Sequence, residues 1–211
     1  MTSLLLATRS ADKAREIREI LRAAGAAVDL RSLDEAHVRW SEEEERLERF
    51  ESFEANARAK AEYFARRSGL PVVADDSGLE VLSLGGAPGV RSKRFAANDR
   101  GLTGTALDAA NNAELLRRLL GADEARRRAC YVCVALLLRR PTAPAEAFTG
   151  RCWGRVLAEP RGSGGFGYDP LFFHEGLGKA FGEATPEEKH GVSHRGEAFR
   201  LLAAALARHP L

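Results

Sequence analysis

Apolar and polar positions along the chain predict short buried strands that alternate with amphipathic helices. Residues 3–8 are typical of a buried strand, and residues 12–24 carry apolar side chains at helical spacing up to Gly25. The same order recurs with a helix predicted over 53–67 and a buried strand over 71–75. Strands and helices that alternate in this way indicate an α/β fold.

The middle of the chain predicts a long loop, a helix and a pair of strands. Segment 83–105 is rich in Gly, Ser and Asn and is predicted to be mostly loop, followed by an amphipathic helix over 107–120. The apolar runs 128–138 and 145–157 predict two long strands. Because the two runs are joined through a short proline-containing segment, we expect them to pair antiparallel.

The last quarter of the chain predicts a loop and two helix starts. Residues 162–167 are glycine-rich, and Thr185 begins a capping box with a proline at the first helical position. A final helix is predicted over 194–208. No repeat or linker interrupts the pattern, so we expect residues 1–211 to form a single domain.

Composition narrows the class of protein. A length of 211 residues suffices for one sizeable core or two closely joined lobes, and a formal net charge of +2 gives no electrostatic case for nucleic-acid binding. No apolar run is long enough for a membrane span, and the start of the chain predicts a strand instead of a signal peptide. The presence of only three cysteines favours a reducing, cytoplasmic location.

A phosphate site is predicted at the first turn, Thr8-Arg9-Ser10-Ala11-Asp12-Lys13. This turn follows a strand and opens a helix, where free backbone N–H groups and the positive end of the helix dipole favour an anion. Lys13 adds a mobile cation. The alternative is an ordinary strand–helix turn. The glycine-rich pattern of a P-loop, which would favour a phosphate site, is absent.

Paired acids follow the second buried strand. Asp75 and Asp76 project to opposite sides of a strand, and Ser77-Gly78 is predicted to turn the chain directly after them. Acids in this position commonly hold a divalent metal and an activated water. The alternative is an ordinary turn after a strand, although two acids beside apolar residues are costly unless they are solvated or paired.

The segment Gly-Phe-Gly-Tyr-Asp-Pro at 165–170 and the segment Ser-His-Arg-Gly at 193–196 predict a pocket for a planar, polar-edged ligand such as a nucleobase. The first segment offers an aromatic face and a carboxylate, and the second offers two donors at a helix start.

Cys130 and Cys133 lie three residues apart in a strand and point to opposite faces, which favours buried core thiols over a metal site.

These motifs resemble the inosine-triphosphate pyrophosphatase family, the dITP/XTP diphosphatases. The resemblance covers nearly the whole chain and rests on ATRSADKAREI at 7–17, SFEANARAKA at 52–61, ADDSGLEV at 74–81, GGAPGVRSKRF at 85–95, GFGYDP at 165–170 and EEKHGVSHRGEA at 187–198. It implies an elongated, two-lobed α/β fold around a long mixed β-sheet, with the active-site cleft between the lobes. It also implies a homodimer and the Mg²⁺-dependent hydrolysis of inosine, deoxyinosine and xanthosine triphosphates to the monophosphate and pyrophosphate.

The resemblance assigns a role to each matching residue. Asp76 would orient or deprotonate the attacking water and would share Mg²⁺ with Glu48. The residues that would bind substrate are Thr8, Arg9, Ser10, Ala11, Asp12, Lys13 and Lys60 at the triphosphate, Ser77, and Phe166, Gly167, Tyr168, Asp169, Lys189, His194 and Arg195 at the base and sugar.

The chain departs from the family pattern at three places. The opening Thr-Gly-Asn is replaced by Thr8-Arg9-Ser10, so that a bulky cation stands where glycine is expected. Ala55 replaces the glutamate of a Glu-Asn-Ala motif, and Phe50 replaces a glycine two residues after Glu48. These departures fall on the predicted phosphate and metal segments.

Two other functions fit the same residues. One is a septum-inhibitor type of nucleotide pyrophosphatase, which would act on pyrimidine or modified-base triphosphates and whose serine-proline-arginine opening is absent here. The other is a nucleotide-binding regulatory protein without turnover. Paired acids beside a lysine-bearing phosphate loop favour an enzyme, because a sensor has no need of an acid that positions water.

Overall fold

The computed structural model describes residues 3–97 and 101–211 as strands and helices around one β-sheet. The strands are β1 (Ser3–Leu6), β2 (Asp29–Arg31), β3 (Val72–Val81), β4 (Arg128–Leu138), β5 (Glu146–Val156), β6 (Phe172–His174) and β7 (Lys179–Ala180). The helices of eight or more residues are α1 (Ala11–Ala23), α2 (Phe53–Ser68), α3 (Gly104–Arg118) and α5 (His194–Arg208), and the seven-residue α4 (Pro186–Val192) precedes the last of these.

The sheet is mixed. Its strand order is β2-β1-β3-β4-β5-β6-β7. Strand β1 runs parallel to β2 and β3, whereas β6 runs antiparallel to both β5 and β7. The α/β prediction with a mixed sheet is therefore confirmed.

The longer predicted elements occur close to their predicted bounds. Ser10 caps α1, and Gly25 follows this helix in the left-handed conformation with φ 67°. Thr185 forms the predicted capping box of α4, with a proline at the start of the helix. Residues 98–100 of the predicted loop 83–105 lie outside the described residues.

The predicted turn at Ser77-Gly78 is wrong, because β3 continues to Val81. Leu79 and Val81 are both fully buried, so apolar packing extends the strand through a glycine that the sequence pattern interprets as a turn signal. The Leu79 N–H also donates to the Ser92 hydroxyl at 2.9 Å. The paired acids thus lie inside a strand and not at its end.

The chain divides into two compact units, each built from separate segments. The first unit comprises Met1–Asp76, Cys133–Gly150 and His194–Leu211, and the second comprises Ser77–Val132 and Arg151–Ser193. In the first unit, buried side chains of α1 and α5 pack with β1, as Ile17, Phe199 and Leu4 illustrate. In the second unit, Phe172 and Phe181 pack with Tyr131.

Two smaller expectations can be compared with the structure. Cys130, Cys133 and Cys152 are all free and buried, which confirms the interpretation as core thiols. Within the described ranges, every helix is too short or too polar to cross a bilayer.

Candidate active site

The opening turn has the geometry of an anion site at the start of α1. The Ser10 hydroxyl accepts the backbone N–H of Lys13 at 3.3 Å, and the Ser10 N–H donates to the Thr8 hydroxyl at 3.1 Å. These bonds fix the turn where the helix dipole and the first N–H groups of α1 favour negative charge. Ala11 and Asp12 begin the helix, and the carboxylate of Asp12 pairs with exposed Arg15.

Arg9 is directed towards the acidic segment of the same unit. Its guanidinium donates to both carboxylate oxygens of Glu44, at 3.0 and 2.8 Å, and to the carbonyl of Val38 at 3.0 Å. Glu44 belongs to the short 3₁₀ turn Glu42–Arg46, a run of acids of the kind that usually forms a solvated face. One of those acids therefore has a defined partner, because the side chain of Glu44 is only 9% exposed.

Asp75 lies among cations in the interior of the first unit. Its carboxylate is 3.1 Å from Lys13 Nζ and 3.5 Å from Arg195 Nη2. Burial alone would raise the pKa of Asp75, but the attraction of Lys13, Arg195 and Lys60 outweighs burial and lowers it. Asp75 is therefore a charged group that holds Lys13 in place.

Asp76 faces a different set of partners. One of its oxygens accepts a hydrogen bond from the amide of Asn56 at 3.0 Å, and the other lies 3.5 Å from Lys60 Nζ. Lys60 Nζ also donates to Glu48 at 2.9 Å and to the backbone carbonyl of Asp75. Burial raises the pKa of Asp76 despite the nearby lysines. Burial would lower the pKa of Lys60, but Glu48 and Asp76 outweigh it and raise that pKa.

The carboxylates of Glu48 and Asp76 converge on one cation, the ammonium of Lys60. In the part of the chain that the structure describes, no group of three or more His, Cys, Asp or Glu side chains could hold a metal ion. Mg²⁺ is usually bound by one or two carboxylates, with substrate phosphates and water completing its shell. The two converging carboxylates therefore fit a divalent cation that takes its other ligands from outside the protein.

The second unit holds the predicted aromatic segment in a defined turn. The carboxylate of Asp169 accepts the Phe166 N–H at 2.8 Å and pairs with Lys189 Nζ at 2.5 Å. The same ammonium lies 4.9 Å from the centre of the Phe166 ring. Tyr168 donates its hydroxyl proton to the Ser92 carbonyl at 2.8 Å, so each side chain of this turn has a fixed direction.

The predicted donors at the start of α5 lie where the sequence places them. His194 and Arg195 are in the first turn of this helix, as predicted, and both are buried. Arg195 was expected to project from the helix end towards a ligand. Its guanidinium instead pairs with Glu16 at 2.7 Å and with Asp75 at 3.5 Å.

The predicted site residues thus fall into two groups, one in each unit. The first unit brings Lys13, Lys60 and Asp76 together with Glu48. The second unit brings Phe166 together with Asp169 and Lys189 and also contains Ser77, which lies in β3.

Two pairs of polar residues take part in these groups, and three of the four residues, all except Lys60, lie beyond the predicted set. On α2, Asn56 and Lys60 lie on the buried face, and on α3, Asp108 and Asn112 bind the backbone of Gly167. Each pair is spaced by four residues, which puts both members on one side of a helix. Polar residues at this spacing on a helix that also carries an apolar stripe are the signal that could have identified them.

Comparison with known proteins shows similarity over nearly the whole chain. A family model described as the Ham1 family matches residues 4–205. A protein of Syntrophobacter fumaroxidans named dITP/XTP pyrophosphatase is 45% identical over 195 residues, which cover 92% of this chain and 78% of that protein. A protein of the same name from Aromatoleum aromaticum is 42% identical, with 99% of this chain and 98% of that protein covered.

Solved structures agree with this chain in fold. A HAM1 protein from Coxiella burnetii matches with a TM-score of 0.84 and 34% identity, covering 99% of this chain and 100% of that one. A nucleoside-triphosphatase, dITP/XTP pyrophosphatase, from Mycobacterium abscessus matches with a TM-score of 0.71 and 38% identity over 100% of both chains. Sequence and backbone therefore point to the same group of proteins.

Proposed function

We propose, since the chain belongs to the Ham1 family, that it hydrolyses the triphosphates of inosine, deoxyinosine and xanthosine to the monophosphate and pyrophosphate. Relatives that are 41–45% identical carry the name dITP/XTP pyrophosphatase. The observation that carries the proposal is the arrangement of Asp76 with Lys60 and Glu48, a buried acid beside a cation and a second carboxylate. Such a reaction would remove non-standard purines from the nucleotide pool.

Neutralisation of the triphosphate is the first task of the site. Lys13 and the N–H groups at the start of α1 present positive charge to the phosphates, and Lys60 adds a second ammonium. Asp75 keeps Lys13 in position through a buried ion pair. Positioning and charge neutralisation provide most of the catalysis in phosphoryl transfer, so these contacts are the chemical basis of the proposal.

Alignment of the attacking water is assigned to Asp76. Asn56 binds one carboxylate oxygen and fixes the plane of the group, so that the other oxygen faces the charged side of the site. Burial raises the pKa of Asp76 towards the range in which a carboxylate accepts a proton well. Asp76 therefore serves as the general base, or as the acceptor that orients the water.

Glu48 and Asp76 are the residues that would hold Mg²⁺. When bound, the ion supplies positive charge to the phosphate oxygens and helps to place the leaving pyrophosphate. Both carboxylates contact Lys60, which keeps them close together.

Stacking on the base is assigned to Phe166. The family pattern assigns discrimination between bases to Arg195, although its guanidinium pairs with Glu16 and Asp75 in this structure. An aromatic ring stacks on any purine and gives no discrimination, whereas a donor distinguishes a 6-keto oxygen from the amino group of adenine. A donor that faces a donor leaves buried groups unpaired, which costs about 1–3 kcal/mol per group. The proposed substrates share the 6-keto group that ATP lacks, and they lack the 2-amino group that GTP carries.

A pyrophosphate-release assay with inosine, xanthosine, adenosine, guanosine and pyrimidine triphosphates, with and without Mg²⁺, tests the function. We expect rapid Mg²⁺-dependent release from the inosine and xanthosine compounds and slow release from ATP and GTP. Preference for a pyrimidine triphosphate would favour the septum-inhibitor type of pyrophosphatase. Binding without release would favour a regulatory protein.

A cytoplasmic homodimer completes the proposal. Nucleoside triphosphates are cytoplasmic metabolites, and all three cysteines are free thiols, as a reducing compartment requires. Exposed apolar side chains such as Trp153 offer surface that a second copy would cover. Sedimentation of the purified protein measures the oligomeric state directly.

A further inference from the structure

Two side chains of α3 bind both backbone polar groups of Gly167. The carboxylate of Asp108 accepts the Gly167 N–H at 2.8 Å, and the amide of Asn112 donates to the Gly167 carbonyl at 3.0 Å. The two side chains are spaced by one helical turn and therefore point the same way. We call these two bonds the Gly167 contacts.

The Gly167 contacts fix the backbone at a turn that contains a residue in the left-handed conformation. Gly167 has a φ of +63°, which only glycine adopts without strain, and it separates Phe166 from Tyr168. The neighbouring Phe166 N–H is bound by the carboxylate of Asp169 at 2.8 Å. Two successive N–H groups are thus each held by a different carboxylate, which fixes the backbone from which the Phe166 side chain projects.

Helix α3 is itself attached to the rest of the second unit. The Asn111 side chain accepts the N–H groups of Phe95 and Ala96, at 3.1 and 2.9 Å, and donates to the Lys93 carbonyl at 3.2 Å. Asn111 is almost fully buried. A helix fixed in this way is a rigid support for the Gly167 contacts, as a preorganised site requires.

We propose that Asp108 and Asn112 are positioning residues that set the affinity for the purine base by holding the Gly167 turn and, through it, the ring of Phe166. The proposal rests on the proposed function, which assigns the Phe166 ring to the base. Neither side chain needs to touch the substrate. The phosphate-binding residues lie in the other unit, so the effect is specific to the base.

The first experiment separates base binding from phosphate binding. The variants Asp108→Leu and Asn112→Leu each remove one contact, Asp108→Asn keeps an acceptor, and Thr105→Ala on the exposed part of α3 is the matched control. We expect the leucine variants to raise KM for inosine triphosphate about tenfold, the effect of one buried hydrogen bond, with kcat within about twofold. The inhibition constant of inorganic tripolyphosphate, which has no base, should stay unchanged.

Comparison with the ring variant decides whether the effect passes through Phe166. Asn112→Leu combined with Phe166→Ala should raise KM no further than Phe166→Ala alone, because the contact then has no ring to position. Asp108→Asn should recover most of the lost affinity. Additive effects of the two substitutions, or an equal change in the tripolyphosphate constant, would overturn the proposal and leave α3 a general structural support.

A third measurement does not depend on turnover. Hydrogen exchange of the peptide that spans residues 163–170 should accelerate in both leucine variants and stay unchanged in Thr105→Ala. Calorimetry with inosine monophosphate should show the same loss of affinity as the kinetics. If the wild-type protein releases no pyrophosphate but binds the monophosphate in this pattern, the proposed reaction fails and the role of Asp108 and Asn112 stands. Unchanged exchange, or no binding of the monophosphate by the wild type, contradicts that role.

Discussion

The guanidinium of Arg9 and the carboxylate of Glu44 form a two-point ion pair, with N–O distances of 3.0 and 2.8 Å. The pair connects the turn that opens α1 with the 3₁₀ segment Glu42–Arg46, and Glu44 in that segment lies four positions before Glu48. Parallel hydrogen bonds between a guanidinium and a carboxylate fix orientation as well as distance. Arg9 therefore takes up a structural task at a position where glycine is expected from the family pattern.

Removal of this pair should weaken metal activation more than turnover at saturating metal. We expect Arg9→Gln or Glu44→Gln to raise the Mg²⁺ concentration for half-maximal activity about two- to fivefold, the range for a partly exposed ion pair. Arg15→Gln breaks an exposed pair on α1, the helix that this turn opens, and serves as the control. Titration of activity against Mg²⁺ measures the effect, and the charge-exchanged double variant should restore part of it. A loss of kcat without a shift in the titration would place Arg9 on the substrate instead.

Asp76→Asn should lower kcat by about 10²–10⁴-fold, the usual contribution of a general base, while substrate binding persists. The amide retains the shape of the carboxylate but cannot accept a proton or share a cation. Single-turnover kinetics and direct binding of inosine triphosphate are the measurements, with circular dichroism to show that the variant folds. Substantial activity in this variant would move the catalytic role to another acid.

Asp75→Asn is the informative comparison for Asp76→Asn, because it removes the neighbouring charge on the same strand. Asp75 pairs with Lys13 and Arg195, so its loss removes one anionic partner from the buried Arg195 and from the partly buried Lys13. We expect the free energy of unfolding to fall by about 3–5 kcal/mol, as is usual when one member of a buried ion pair is removed. Denaturant titration measures this change. An Asp75 variant as stable as the wild type would contradict the importance of this network.

Arg195→Ala should reduce kcat/KM for inosine triphosphate far more than for ATP, whereas Phe166→Ala should weaken all purine triphosphates by similar factors. The reason is that a donor discriminates between bases and a stacked ring does not. Because Arg195 also pairs with Glu16, the melting temperature of the Arg195→Ala variant must be compared with that of the wild-type protein. If the preference for inosine over adenosine survives in Arg195→Ala, the guanidinium has only the structural role that its ion pairs define.

The sequence predicted elements in which a hydrophobic pattern repeats over many residues, and it did not predict the shortest strands of the sheet. Helix α5 shows this, since fifteen residues carry a clear apolar stripe. Strands β6 and β7 have three and two residues, too few for any period to be detected. At the site, Asp76 could be found because an acid next to apolar residues is unusual in itself.

Partners that lie far apart in the chain could not be predicted in this way. Arg9 and Glu44 are separated by 35 positions, and Asp108 and Gly167 by 59. The local sequence around each residue does not indicate its partner, and only the folded backbone brings the two together. The sequence pattern gives the surroundings of the site but not the bonds that hold its turns.

The three thiols should resist alkylation in the native protein. Burial, with a further contribution from Asp75, raises the pKa of Cys133 to about 12, and burial also raises the pKa of Cys130. The unreactive thiol form of Cys133 therefore predominates well above the pKa of about 8.5 of a free cysteine, and burial shields Cys130 and Cys152 from the reagent. Mass spectrometry after iodoacetamide at pH 8 should show no label in the native protein and three labels after unfolding. Rapid labelling of one cysteine in the native state would show that its segment opens.

The division between the two units falls within β3, between Asp76 and Ser77, and the chain passes from one unit to the other again after Val132, Gly150 and Ser193. A single genetic crossover between two related genes can therefore never exchange one unit intact. Transfer of the complete second unit would need four breakpoints, three of them inside strands. The residues assigned to the phosphates and those assigned to the base turn are thus inherited as one block. New base preferences in this lineage are expected to arise by point substitution and not by the shuffling of modules.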